Sequence, residues 1–144
     1  MPDHRLRIYD SMVGLLSDAD NPTPLVRINR VVPFQHARVY GKLEWYNPFG
    51  SVKDRVAASL IEDAKQRKIL EPGKKLVEAT SGNTGLGMAM IGNQKGYPLQ
   101  TPLSQAIPLE TRTVLRFFGA DVVELLPDES HHHGEVLAAQ LVYK

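Results

Sequence analysis

Short apolar segments alternate with longer helical segments in the second half of the chain, and this alternation constrains the fold most. The pattern predicts strands at 75–79, 98–103 and 121–126, with helices at 84–95 and 109–118 between them. Strands and helices that alternate with short connections favour a parallel sheet covered by helices. We therefore expect an α/β protein with a parallel open sheet and flanking helices.

Two prolines flank the middle strand of this series. Pro98 and Pro102 both lack the backbone N–H group that a sheet ladder needs. We therefore expect the strand at 98–103 to be short, shifted in register, or at an edge of the sheet.

The first half of the chain has weaker signals. After a charged lead-in, the pattern predicts a short helix at 11–16 and strands at 25–28 and 38–45. The aromatic pair Trp45 and Tyr46 is expected to pack against other side chains and not to form a stacking platform for a ligand.

An amphipathic helix is predicted at 52–69. Ser51 is a good N-cap, Asp54 suits the first turn, and Glu71-Pro72-Gly73 is a stop signal. The apolar stripe consists of Val52, Val56, Leu60 and Ala64, with Ala57 and Ile61 beside it.

Lys53 lies beside that stripe in the first turn, so we expect its amine to face the interior or a cleft. The positive end of the helix dipole and partial desolvation both disfavour an ammonium group. An amine that loses its proton readily suits a Schiff base with an aldehyde cofactor. A solvated lysine at a helix start is the alternative.

Residues 80–85, Thr-Ser-Gly-Asn-Thr-Gly, form a polar turn between a predicted strand and a predicted helix. Backbone N–H groups at a helix start, two glycines and four polar side chains suit a carboxylate or a phosphate. The turn is expected at the carboxyl edge of the sheet, where open α/β folds bind ligands. An ordinary strand-to-helix turn is the alternative.

Two motifs together resemble a known family: Asn-Pro-Phe-Gly-Ser-Val-Lys-Asp-Arg at 47–55 and Thr-Ser-Gly-Asn-Thr-Gly at 80–85. They resemble the pyridoxal-phosphate enzymes of the tryptophan-synthase-β type, fold type II, and within them most closely the cysteine synthases (O-acetylserine or O-phosphoserine sulfhydrylases). Further similar segments lie at 21–26, 109–112 and 118–122. The resemblance implies the N-terminal part of a two-domain enzyme.

The resemblance also implies roles for particular residues. Pyridoxal 5'-phosphate is the implied cofactor, with Lys53 as the catalytic lysine that holds it and then moves the proton at the substrate Cα. Asn83 matches the asparagine that hydrogen-bonds the ring hydroxyl of the cofactor. The loop that grips the substrate carboxylate is matched by Thr80, Ser81, Gly82, Asn83 and Thr84.

The implied reaction is β-replacement, in which an activated serine (O-acetylserine or O-phosphoserine) and sulfide give cysteine. Cystathionine β-synthase and serine/threonine dehydratase of the same fold are alternatives. Family members are about twice as long, and no Gly/Thr-rich segment for the cofactor phosphate occurs between Gly119 and Lys144. A non-catalytic truncated paralogue that serves as an assembly or regulatory partner is therefore a second alternative, and enzymatic activity stays open.

The motifs divide the chain into four parts. These are an N-terminal segment contributing strands (1–45), the lysine turn and helix (46–72), a small βαβ subdomain with the substrate loop (73–126), and a His-containing loop with a last helix (127–144). A sheet of this partial size leaves apolar surface uncovered, so we expect a homodimer or self-association.

Composition excludes several classes of function. A net charge of +1 gives no reason to expect nucleic acid or an anionic membrane as a partner. The absence of cysteine excludes disulfides and thiolate metal sites, and is compatible with the cytoplasm, where we expect the protein to be.

Two clusters of charged or polar side chains are given structural interpretations. Three consecutive histidines at 131–133 have no acidic partner at ligand spacing, so no metal site is predicted. Arg112 and Arg116 are expected on a solvated helix face, with an anion site as the alternative.

Overall fold

A computed structural model of the protein describes residues 8–30 and 36–125. The chain divides into two compact units, 1–52 and 53–144, and each is described by itself. The histidine run and the predicted last helix lie outside the described residues. The four-part division of the chain therefore stays a prediction.

The first unit contains a two-stranded antiparallel ribbon. β1 (Leu25–Ile28) pairs with β2 (Val39–Lys42), and Leu25 lies opposite Lys42. Short 3-10 helices span Met12–Leu15 and Glu44–Tyr46. Both strands predicted in this half of the chain are present, although β2 is shorter than the predicted range 38–45.

A buried asparagine organises the turn that precedes the lysine helix. The side-chain amide of Asn47 donates to the backbone oxygen of Glu44 (2.7 Å) and to its carboxylate (2.8 Å). The hydroxyl of Ser17 donates to Asn47 Oδ1 at 2.5 Å. These bonds occupy the interior of the turn with polar groups. The prediction that Trp45 and Tyr46 are packing residues is wrong, because they are 65% and 62% exposed.

The described part of the second unit, residues 53–125, forms a three-stranded parallel sheet with three helices. In chain order the elements are α1 (Lys53–Gln66), β3 (Leu76–Val77), α2 (Asn83–Gln94), β4 (Leu99–Ser104), α3 (Leu109–Phe117) and β5 (Asp121–Leu125). The strand order is β3-β4-β5. The predicted α/β class and parallel sheet are confirmed.

The expectation for the proline-flanked strand is wrong, because β4 is six residues long and central in the sheet. The carbonyl of Pro98 accepts from the N–H of Leu76, and the carbonyl of Gln100 accepts from the N–H of Glu78. Because the backbone polar groups of every second residue in a strand point to the same neighbour, the nitrogen of Pro102 also faces β3. The N–H of Glu78 makes the last of these bonds, and the proline nitrogen lies where the next ladder bond would form, so the pairing of β3 with β4 stops at this point. Pro102 instead lies opposite Val123 of β5.

The buried face of α1 differs from the predicted stripe. Asp54, Ala57 and Ile61 are buried against neighbouring residues, whereas Val56 and Leu60 are 38% and 51% exposed. The helix packs chiefly on α2, whose small side chains select the face that carries Ala57. The core of the unit includes Ala57, Ile61, Met88, Ala89, Ile91, Leu99, Leu103 and Leu115.

The first helix ends three residues earlier than the predicted range 52–69. Lys68 has φ +57°, its N–H donates to the carbonyl of Lys65, and the N–H of Ile69 donates to that of Ala64. This pair of bonds is a Schellman closure with lysine in the position that usually holds glycine. Gly96 occupies the equivalent position after α2, with φ +81°.

An ion-pair cluster joins α3 to β5. The carboxylate of Glu124 accepts from Arg112 at 2.9 Å and from Arg116 at 2.6 Å. Arg112 is only 13% exposed and also donates to the carbonyl of Ile107. The prediction of a solvated arginine face is therefore wrong for Arg112, because the β5 carboxylate covers it. The hydrogen bond from Arg116 lowers the pKa of Glu124 below its usual 4.5, and Arg112 adds to this effect.

We predict that Lys68→Gly raises the free energy of unfolding by about 1 kcal/mol, because glycine adopts the left-handed conformation without strain. Gly96→Ala should lower it by a similar amount, since no atom lies within 4 Å of the added Cβ and only backbone strain is introduced. Urea unfolding measures both variants. Changes of the same sign would contradict the assigned closure.

We predict that Glu124 stabilises the fold in a pH-dependent manner. Because the folded-state pKa is lowered, its contribution is present above pH 4.5 and is lost as the pH falls through the folded value. Glu124→Gln should therefore lower the urea midpoint at pH 7. Below pH 4.5 the urea midpoint of the variant should fall less steeply with pH than that of the original protein. Parallel curves for the variant and the original protein would show that the cluster does not couple to folding.

Candidate functional site

Lys53 is the first residue of α1 and an exposed residue of the second unit. Of the two expected surroundings of its amine, the interior and a cleft, this exposure excludes the interior, and the cleft stays a prediction. The buried face of the helix passes through Asp54, Ala57 and Ile61, and position 53, four residues before Ala57, lies at the border of this face, about 40° from Ala57. The structure therefore has an exposed lysine residue at the start of this helix.

The backbone of Lys53 is closely packed even though the residue is exposed. A Cβ atom added at Gly87 of α2 would lie 3.4 Å from the carbonyl oxygen of Lys53 and 3.2 Å from the Cβ of Ala57. The first turn of α1 therefore lies directly on the second turn of α2. Gly87 is four residues after Asn83, or about 6 Å along the helix axis.

The predicted substrate loop spans the start of α2. Gly82 is the N-cap residue and Asn83 is the first residue of the helix. Because glycine has no side chain to cap the helix, the first N–H groups of α2 are available to an anion. Gly82 and Asn83 are exposed, and Thr80, Ser81 and Thr84 are half-buried.

The base of this loop is fixed by two contacts. The hydroxyl of Thr101, a fully buried residue of β4, accepts from the N–H of Thr80 (3.3 Å) and donates to its carbonyl (3.2 Å). A Cβ added at Gly85 would lie 3.0 Å from the carbonyl oxygen of Thr80 and 3.3 Å from Leu115 Cδ2. Sequence analysis missed Thr101, because it belongs to no motif and its neighbours in the strand are Gln100 and Pro102.

A cleft of about 310 Å³ opens between the loop and α3. Its lining consists of Ser81, Gly82, Asn83, Leu86, Glu110, Thr111 and Val114. The loops after β3 and β4 lie at the same carboxyl edge of the parallel sheet, which explains why α3 contributes to the cleft. Sequence analysis missed these α3 residues, because no local motif marks them.

Two other kinds of site are missing from the part of the chain that the structure describes. Residues 8–30 and 36–125 contain no group of three His, Asp or Glu side chains that could hold a metal ion. None of the helices formed by these residues has the length and apolarity that crossing a membrane requires.

Comparison with known proteins places the chain among characterised enzymes. The family profile described as "Pyridoxal-phosphate dependent enzyme" matches residues 16–143. A "Probable cysteine synthase" of Bacillus subtilis is 42% identical over 135 residues, which are 94% of this chain. The crystal structure of an O-ureido-L-serine synthase gives a TM-score of 0.81 at 34% identity over 95% of the chain.

A cysteine synthase from Entamoeba histolytica gives a TM-score of 0.84 at 26% identity and covers 99% of this chain. The matched region is 42% of the length of each of these three proteins. The likeness therefore extends over nearly all of this chain but less than half of its relatives.

We predict that Gly85→Ala lowers the free energy of unfolding by about 1–3 kcal/mol, because the added methyl group overlaps the Thr80 backbone and Leu115. Gly82→Ala is the matched control from the same loop, since no atom lies within 4 Å of its Cβ, and it should change stability by less than about 0.5 kcal/mol. Urea unfolding compares the two. Equal losses would contradict the close contact at the loop base.

Proposed function

We propose that this chain contributes the lysine and the substrate loop of a β-replacement enzyme. The basis of the proposal is that the chain belongs to the family of pyridoxal-phosphate dependent enzymes. The proposed reaction joins sulfide to an activated serine, O-acetylserine or O-phosphoserine, to give cysteine. The observation that carries this proposal is the contact of the first turn of α1 with Gly87, since it puts Lys53 and the start of α2 on one packed pair of helices.

The side chains at these helix starts fit the cofactor. Its aldehyde requires an accessible primary amine, and Lys53 is an exposed residue on a firmly packed backbone. Its ring hydroxyl requires a hydrogen-bond partner, and the exposed amide of Asn83 can supply one. Pyridoxal phosphate, when bound, supplies an electron sink for the substrate Cα.

In the proposed mechanism Lys53 has a second task. The lysine amine would take the proton from the substrate Cα and return it later. The four-carbon side chain of a lysine at the first residue of a helix can still rotate, so its amine can move. The packed helix fixes the position of the lysine backbone.

The loop binds the substrate carboxylate in this proposal. The free N–H groups after Gly82 attract a negative charge, and the hydroxyls of Thr80, Ser81 and Thr84 add donors. The adjoining cleft of about 310 Å³ has the volume of a small-ligand site. A small amino acid is therefore the class of substrate that this loop suits.

The nucleophile is the least constrained part of the proposal. One solved relative is an O-ureido-L-serine synthase, so β-replacement with a nucleophile other than sulfide is a second candidate. Turnover of O-acetylserine and O-phosphoserine with sulfide, compared with hydroxyurea, separates the two. Cysteine formation supports the first candidate, and formation of O-ureidoserine alone supports the second.

A partner is proposed from the exposed apolar side chains of the antiparallel ribbon, which are Leu25, Val26, Val39 and Tyr40. A two-stranded ribbon is marginally stable in water by itself. We expect a second copy of the chain to cover this surface. Gel filtration over a range of concentrations should show a dimer or larger species, and a monomer at every concentration would contradict this expectation.

We predict that Lys53→Ala abolishes covalent capture of the cofactor. The protein is incubated with pyridoxal phosphate, reduced with borohydride and digested, and the modified peptide is located by mass spectrometry. Lys65→Ala is the matched control, because Lys65 is an exposed lysine of the same helix that pairs only weakly with Glu62 at 3.7 Å. The control should be labelled at Lys53 like the original protein.

Labelling that is spread over many lysines, or that persists in Lys53→Ala, would overturn the assignment of Lys53. Labelling at Lys53 without turnover of any activated serine would support the non-catalytic alternative, in which the chain acts as an assembly or regulatory partner.

A further inference from the structure

We propose that Thr101 is a positioning residue for the substrate loop, acting through its hydroxyl on the backbone of Thr80. The inference rests on the proposed function for the statement that this loop binds substrate. Its structural part, that the hydroxyl fixes the base of the loop, stands on the contacts of the second unit alone.

Thr101 uses both hydrogen-bonding capacities of its hydroxyl on one residue. It accepts from the N–H of Thr80 at 3.3 Å and donates to the carbonyl of Thr80 at 3.2 Å. The side chain is 0% exposed, so water does not replace either bond. Two bonds to the same residue define the orientation of its peptide groups more tightly than one bond does.

The hydroxyl stands where the sheet ladder has stopped. The last bond between the β3 segment and β4 runs from the N–H of Glu78 to the carbonyl of Gln100. Pro102, the next residue of β4 that faces this side, has no N–H group to donate. Thr101 supplies from its side chain a donor that Pro102 lacks, and its hydroxyl also accepts from the N–H of Thr80.

The same point of the loop is held from the side of α2. Gly85 of α2 lies beside the carbonyl oxygen of Thr80, so closely that an added Cβ atom would stand 3.0 Å from it. Beyond Thr80, Ser81, Gly82 and Asn83 line the open cleft. The loop thus has a fixed base at Thr80 and an accessible tip, and Thr101 determines where the tip begins.

The first test is amide hydrogen exchange of the chain without cofactor. Thr101→Val removes the hydroxyl at nearly constant volume and should speed exchange of the amides of residues 80–86 about tenfold, the size expected for the loss of a buried hydrogen bond. Thr101→Ser keeps the hydroxyl and should restore slow exchange. Leu99→Val, at another fully buried position of β4, is the control for general loosening of the strand.

The second test is the equilibrium affinity for O-acetylserine of the cofactor-loaded chain, measured by calorimetry. Thr101→Val should weaken binding about tenfold, while Thr101→Ser and Leu99→Val should bind like the original protein. A purely structural role would weaken binding in Leu99→Val as much as in Thr101→Val, and would overturn the proposal.

The two tests separate failure of the inference from failure of the proposed function. If the original protein binds no amino acid but Thr101→Val still loosens residues 80–86 selectively, the proposed function fails and the positioning role stands. If exchange of residues 80–86 is unchanged in Thr101→Val, or rises equally in α1, the positioning role is overturned whatever the chain binds.

Discussion

The contact between α1 and α2 at Gly87 is the constraint on which the candidate site depends. A side chain larger than hydrogen at that position would press on Ala57 and on the carbonyl oxygen of Lys53. Glycine therefore permits two helices to approach so closely that the start of one lies on the second turn of the other. Lys53 and the start of α2, whose N–H groups can bind an anion, then belong to one closely packed pair of helices. The sequence pattern around either motif does not predict this packing.

The sheet supplies the second half of the arrangement. Parallel strands end at one edge, so the loop after β3 and the start of α3 after β4 meet around a common cleft. The base of the loop is held by the Thr101 hydroxyl and by the close approach of Gly85. A fixed base with an exposed tip suits the proposed role of this loop, which is to bind a carboxylate and still admit a substrate.

Periodicity predicted every helix and strand of the second unit, because the spacing of apolar residues depends only on local geometry. Periodicity gave wrong predictions where packing against a neighbouring element determines which residues are buried or paired. Val56 and Leu60 match a helical stripe, yet the small residues of α2 select the face with Ala57. Pro102 lies in the central strand at the point where the pairing with β3 stops, and its other neighbour is β5. Thr101 carries no motif, and only its partner reveals its role.

The most direct test of this account is an NMR titration of the isotope-labelled chain with pyridoxal phosphate. The account predicts that amides in the first turn of α1, around Lys53, and in the first turn of α2, around Asn83, shift together with a single dissociation constant. Amides at the far ends of both helices, near Gln66 and Gln94, should hardly move. Shifts confined to one helix start, or two distinct dissociation constants, would contradict a shared site.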